Sequence, residues 1–318
     1  MKRVVIIGVG KIAGGHKNNY KSSHAYYYNQ NSNYHLVACV DKNNQRLIKF
    51  QSKWNVKYKF KSIDNLISSN LQFDIVDVCL NVSNNIDLLN KILRLNSKLF
   101  LIEKPFLFNP KLIKQIFLHC KKNKKNIYIN YPRIYYKYFN RFAINFNSKN
   151  NIKLNNIIFY YSNGLENNCS HFLIVLIKYF RDLRLLKNSV IKKNSTNYDF
   201  SLVANKKIII NFISISAKRL SLFEGSLIYN NKIISFIQNE EYLNIRNISK
   251  QKNLNSDYEI KATKNINIKK YKKINQISDI FSFVNSANNN IKNRNKINDY
   301  IVKLCKLIYD IKNNSYTI

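Results

Sequence analysis

The chain opens with Val4-Val5-Ile6-Ile7, a short β-branched run that passes without a break into Gly8-Val9-Gly10-Lys11-Ile12-Ala13. A run that is apolar at every position, rather than at alternate ones, is expected of a strand buried on both faces of a parallel sheet. The six residues after it have the form G-x-G-x-x-A. Gly8 allows the tight turn out of the strand, Gly10 lets a pyrophosphate approach the backbone, and Ala13 lets the following helix pack closely on the sheet. The pyrophosphate then rests on the N–H groups at the start of that helix. Four of the six glycines of the whole protein lie between residues 8 and 15, which lifts the motif above a chance match. It predicts an N-terminal Rossmann domain with Gly8, Gly10, Lys11, Ile12 and Ala13 against a dinucleotide.

The next strand is read at Leu36–Val40 and ends in Asp41. An acidic side chain there accepts hydrogen bonds from the adenosine ribose and repels a 2′-phosphate, so NAD is expected over NADP. Lys42 and Arg46 stand close enough to tolerate a phosphate, which keeps NADP open. Residues 20–34 are read as an extended helix end and loop that lengthens the usual spacing. Strands over 73–79, 99–102 and 127–129 alternate with helices over 84–95 and from Asn109-Pro110, an N-cap and N1 pair. This alternation is that of a doubly wound α/β domain over residues 1–129.

Residues 130–318 read differently. Strands are expected at 156–161, 207–213, 225–229, 232–236 and 242–245, with Asn230-Asn231 turning a hairpin. Helices are expected at 170–180, 276–287 and 296–311. Grouped strands point to an α+β domain over residues 130–318, with a mostly antiparallel open sheet and helices on one face.

The formal charge is +36, from 53 Lys and Arg against 17 Asp and Glu. The lysines are spread along the chain among asparagines and isoleucines, residues that share A/T-rich codons. Without an RNA- or DNA-binding signature, this argues against nucleic acid as the partner. No apolar run approaches the length of a membrane span, so no membrane partner is expected. Five cysteines, odd in number and without a CxxC pair, suit reduced thiols and a cytoplasmic location. No His/Cys/Asp/Glu spacing suggests a metal.

Glu103-Lys104-Pro105 directly follows a strand, beyond the carboxyl end of the sheet where open α/β folds bind ligands. With the glycine motif, Asp41, Asn130-Tyr131-Pro132-Arg133 and the segment Gly164–His171, the chain resembles the glucose–fructose oxidoreductase/inositol dehydrogenase (Gfo/Idh/MocA) family over about residues 1–180. The resemblance implies an NAD(P)-dependent oxidoreductase acting on the CH–OH group of a sugar, cyclitol or nucleotide sugar, as in precursors of surface polysaccharides. It also implies that the second domain binds substrate and oligomerises, as a homodimer or homotetramer. Lys104 takes the place of the lysine beside the reacting carbinol and His171 that of a proton donor or acceptor, the two facing one cleft. Glu103 and Lys104 adjoin the cofactor; Tyr131, Arg133, Asn167, Asn168 and His171 contact the substrate. The chain departs from the pattern at Asn167 (usually Asp), Cys169 (usually Gly), Ile174 (usually Asp) and Leu80–Asn85 (usually Thr-Pro-x-x-x-His). These departures leave a second reading open, a cofactor-binding pseudo-enzyme or scaffold without turnover.

Overall fold

The computed structural model describes residues 1–15, 20–135, 153–216, 220–239, 241–250, 258–267, 276–287 and 291–317. They divide into two compact units, one of residues 1–135 with 273–302, the other of 136–272 with 303–318.

The first unit is built on β1 (Lys2–Ile7), α1 (Lys11–Gly14), α2 (His24–Asn29), β2 (Tyr34–Val40), α3 (Asn44–Trp54), β3 (Tyr58–Phe60), α4 (Ile63–Ser68), β4 (Ile75–Val78), α5 (Ile86–Leu93), β5 (Leu99–Glu103), α6 (Pro110–Lys122) and β6 (Asn126–Asn130). The six strands form one parallel sheet in the order β3-β2-β1-β4-β5-β6. The order reverses between β1 and β4, and the crevice beyond their carboxyl ends is where a doubly wound sheet takes its ligand. Val4 to Ile7 are all buried, as a strand covered on both faces requires. Asn109 caps α6, its side chain accepting from Lys111 N at 3.0 Å, with Pro110 at N1.

Residues 20–34 depart from the expected helix extension. α1 ends after four residues, and a separate helix, α2, follows, capped by Ser23. Positive φ at Gly15 stops the first helix, and the Ser23 hydroxyl, accepting from Tyr26 N at 3.3 Å, starts the second.

The second unit holds a ten-stranded sheet. Its strands are β7 (Leu154–Tyr161), β8 (Leu183–Leu185), β9 (Ile191–Lys192), β10 (Tyr198–Ala204), β11 (Ile208–Ser214), β12 (Phe223–Tyr229), β13 (Lys232–Ile237), β14 (Tyr242–Lys250), β15 (Tyr258–Asn267) and β16 (Tyr316–Thr317). Neighbours are antiparallel except β7 with β11 and β9 with β16, which are parallel. Along β10, β11 and β12 every second residue is buried and the alternate ones are half-buried, so one face is covered and the other is open. The helix Ser170–Tyr179 lies on the covered face: Phe172 stacks on Phe159 at 3.8 Å and on Phe223 at 3.6 Å. Among the described residues no helix is long and apolar enough to cross a membrane. All five cysteines are free thiols.

Candidate functional site

Gly8 carries φ +88°, and a Cβ there would press on Leu80 Cβ at 3.0 Å and on the Cys79 carbonyl carbon at 3.2 Å. Only glycine makes this turn so close to the end of β4. Gly10 is the opposite case. Its φ is an ordinary −74°, and a Cβ would meet nothing within 4 Å. The bare backbone of Gly10 therefore faces open space, the cradle a pyrophosphate needs. α1 is too short to build a sizeable macrodipole, so phosphate binding here rests on the N–H groups of its first turn and on nearby cations.

Those cations line a groove of about 580 Å³ against Val9, Gly10 and Cys79. Lys11, Arg46, Lys49 and Lys53 border it, with no carboxylate among its lining residues. A larger cavity of about 800 Å³ in the second unit is lined by none of the motif residues. Asp41 stands at the end of β2, half-buried, with its carboxylate accepting from Val9 N at 2.9 Å and from Asn43 N at 2.8 Å. It holds the glycine loop in place as well as standing where the ribose is expected.

Glu103 ends β5, and Lys104 begins the loop after it through a cis peptide to Pro105. The loop is tied to the segment after β4. Ser83 Oγ donates to Pro105 O at 2.8 Å and accepts from Leu107 N at 3.1 Å. Lys104 is half-buried. Loss of water pushes its ammonium below the ordinary lysine range; Glu103 raises it, and Arg133, from the segment after β6, lowers it again. The fold thus brings Lys104 and Arg133 together. Tyr131 is fully buried and Tyr135 nearly so.

Behind Glu103 lies a buried polar cluster that motif spacing did not reveal. Asp77 sits inside β4 with no exposed surface. His24 Nδ1 lies 2.8 Å from Asp77 Oδ2, and His24 Nε2 lies 3.0 Å from Glu103 Oε1. Tyr28 OH donates to Asp77 Oδ2 at 2.9 Å, Cys79 Sγ is 3.3 Å from His24 Nδ1, and Asn130 Nδ2 donates to Glu103. Among the described residues, His24, Asp77 and Cys79 form a group with donor atoms close enough to hold a metal. The 2.8 Å Nδ1–Oδ2 separation is that of a hydrogen bond, shorter than the edge between two ligands of one tetrahedral zinc with bonds of about 2.0–2.3 Å. Burial and Asp77 push the Cys79 thiol up to about 12, so it stays protonated near neutral pH. The sequence signal for this cluster was the lone acid in Ile75-Val76-Asp77-Val78, since a buried strand does not carry a carboxylate without partners.

In the second unit, Leu165–Cys169 form a π-helical turn that leads into the helix bearing His171. Asn167 is exposed and Asn168 half-buried. His171 is 5% exposed, its ring edge-on to Phe223 at 6.3 Å. Cys169 is fully buried, and desolvation holds its thiol well above the ordinary range, so it is no nucleophile. Ile174 is fully buried on the same helix.

A family model described as an oxidoreductase family with an NAD-binding Rossmann fold matches residues 2–131. No curated protein sequence matches the chain. Among solved structures, the chain is similar to KijD10, a 3-ketoreductase from Actinomadura kijaniata, in complex with NADP. The TM-score is 0.77 at 10% identity, covering 100% of this chain and 98% of that one. It is also similar to the dehydrogenase MviM from Clostridium difficile, with a TM-score of 0.68 at 16% identity over 98% and 99% of the two chains. An oxidoreductase from Agrobacterium radiobacter, in complex with NAD+, L-tartaric acid and magnesium, aligns with a TM-score of 0.60 at 13% identity, covering 82% and 79%. At these identities the solved structures speak to the fold. The glycine turn and the switch-point crevice agree with the family match: over residues 2–131 the chain has the NAD-binding Rossmann fold described for this oxidoreductase family.

Proposed function

We propose that the protein is an NAD(P)-dependent oxidoreductase that moves a hydride to or from the CH–OH carbon of a sugar, cyclitol or nucleotide sugar. The observation that carries this reading is Lys104, half-buried at the carboxyl end of β5 beside the switch point, with its ammonium made less stable by desolvation and by Arg133. The nicotinamide supplies the hydride acceptor or donor. What the chain must supply is a group for the hydroxyl proton. A lysine whose proton affinity is brought down toward neutrality suits that step, because acid–base catalysis is most efficient when the group titrates near the working pH. In one direction the Lys104 amine takes the proton as the carbinol carbon loses its hydride; in the other its ammonium returns that proton to the new alkoxide.

Gly8, Gly10, Lys11, Ile12 and Ala13 hold the pyrophosphate in this reading, and Asp41 the adenosine ribose. The groove beside them fits a polyanionic dinucleotide, since four cations and no carboxylate line it. For the substrate, support comes from KijD10, whose structures include one with NADP and TDP-benzene. Tyr131 and Arg133 are the residues of the first unit assigned to the substrate; Asn167, Asn168 and His171 are their counterparts in the second. The open face of the ten-stranded sheet, with Ile158, Tyr160, Ile209 and Ile213 in its middle strands, is the surface for a homodimer or homotetramer.

The test is turnover of a panel of nucleotide sugars with NAD(H) and NADP(H). Lys104→Ala is expected to lose about 10²–10⁴-fold in kcat while binding the dinucleotide as the wild type does. His171→Ala is expected to lose turnover too, with dinucleotide binding unchanged. A wild type that binds dinucleotide but turns over none of the panel supports the scaffold reading, to which Asn167 and Ile174 already lean.

A further inference from the structure

We propose that His24 is a positioning residue for Lys104: clamped as an imidazolium between Asp77 of β4 and Glu103 of β5, it fixes the Glu103 carboxylate and, through it, the charge around the next residue. This deepens the reading of Lys104 above and rests on it.

The argument is one of donors and acceptors. Each ring nitrogen of His24 lies within hydrogen-bond distance of a carboxylate oxygen, 2.8 Å to Asp77 and 3.0 Å to Glu103. A neutral imidazole has one N–H and one lone pair, and would turn that lone pair toward one of the two carboxylates. With both carboxyl groups ionised, only the doubly protonated ring donates to each. The site is closed to water, with His24 at 3% and Asp77 at 0% exposure, so an unpaired carboxylate there would be costly. Burial alone would strip the proton from His24, yet the Asp77 carboxylate beside it holds the ring well above its ordinary range.

Among the described residues, the groups in contact with the ring are Asp77 and Cys79, from β4 and its end, and Glu103 from β5, while Tyr28 of its own helix donates to Asp77. Asn130 of β6 donates to the same Glu103. Glu103 is thus gripped from two sides, in a direction set by His24 rather than by Lys104. Among the described residues, the charged groups that act on Lys104 are Glu103 and Arg133. Without the His24 cation, the Glu103 charge is no longer shared and acts on Lys104 in full. Without the Glu103 charge, Lys104 loses its neighbouring carboxylate while the His24 cation, now paired by Asp77 alone, remains.

These two losses must move Lys104 in opposite directions, which mere loosening of the fold does not predict. The experiment uses the full chain, with lysines ¹³C-dimethylated and the Lys104 signal assigned by its absence in Lys104→Arg. In His24→Gln the Lys104 titration midpoint is expected to rise by about half a pH unit or more, and in Glu103→Gln to fall by a similar amount. ¹⁵N-histidine spectra of the wild type should show the His24 ring, assigned by its loss in His24→Gln, still protonated on both nitrogens at pH values where an ordinary imidazole has lost its proton. Where a substrate is turned over, His24→Gln should lose about ten- to hundredfold in kcat, with the dinucleotide Kd held within about threefold. A His24 ring that titrates near its ordinary value, or a Lys104 midpoint that stays put or moves the same way in both variants, overturns the proposal. If His24→Gln does not fold, the His24 signal is assigned by elimination from variants at His16, His35, His119 and His171, and the wild-type histidine spectra with Glu103→Gln still decide it. A wild type without turnover sinks the proposed function, yet leaves the two titrations to judge the clamp.

Discussion

At the scale of single residues, the unexpected division of labour is at Asp41. The side chain at the end of β2 was expected to serve the cofactor, yet it also accepts from Val9 N and Asn43 N and so braces the glycine loop. A carboxylate has lone pairs for both tasks. Its charge opposes a 2′-phosphate, while Arg46 and the other cations of the groove favour one. Asp41→Asn removes one unit charge and keeps one acceptor. The ratio of NADP(H) to NAD(H) affinity should then rise by about fivefold, the worth of ~1 kcal/mol between charges near a wet surface, with some loss of thermal stability from the loosened loop. Calorimetric titration of both coenzymes checks it; an unchanged ratio would remove Asp41 from the ribose site and leave it a loop brace.

At the scale of elements, the second unit depends on one close approach between strands. Gly225 of β12 lies opposite Phe159 of β7, and a Cβ on it would sit 2.3 Å from Phe159 Cδ1 and 2.9 Å from Ile158 O. Phe159 cannot swing clear, because it stacks on Phe172 and leans on Phe212 at 5.2 Å. Gly225→Ala is therefore expected to cost about 1–3 kcal/mol by overpacking, seen as a lower Tm in thermal unfolding, with dinucleotide binding to the first unit intact. The strands that sequence reading picked out in this unit were those with continuous apolar runs, such as Asn156–Tyr161 and Lys232–Phe236. β10, with Asp199 and Ser201 on its open face, and β15, rich in lysine and asparagine, escaped it. A strand with one open face hides half its apolar signal.

For the molecule as a whole, the charge of +36 has few internal partners, since only 17 acidic side chains are present. Self-repulsion on this scale opposes compaction and is screened by salt. Tm should therefore rise between about 0.01 M and 0.3 M NaCl, as the Debye length falls from roughly 30 Å to below 10 Å. The diffuse field predicts that any binding to DNA is weak, indifferent to sequence and gone at the upper salt. A complex that survives there would mark a basic surface selected for nucleic acid and would overturn the exclusion drawn from the spread of the lysines.

The sequence by itself determined the parts of this protein whose signal is local. A β-branched run meeting G-x-G-x-x-A can only be a strand, a turn and a helix start, and Gly8 and Gly10 occupy the two conformations that motif demands. Asn109-Pro110 announced α6 for the same reason: a cap and the helix it opens are neighbours in the chain. Glu103-Lys104 was placed at a strand end by the four apolar residues before it. The tertiary structure alone decided what is non-local. His24, Asp77 and Glu103 are separated by 53 and 26 residues of chain, and nothing in their spacing tells of a ring held between two carboxylates. Strand order put β4 and β5 side by side, and the start of α2 brought His24 to their carboxylates; burial then required each charge to find its opposite. Distance along the chain carries no such information, because the free energy of a buried charge depends on what surrounds it in space.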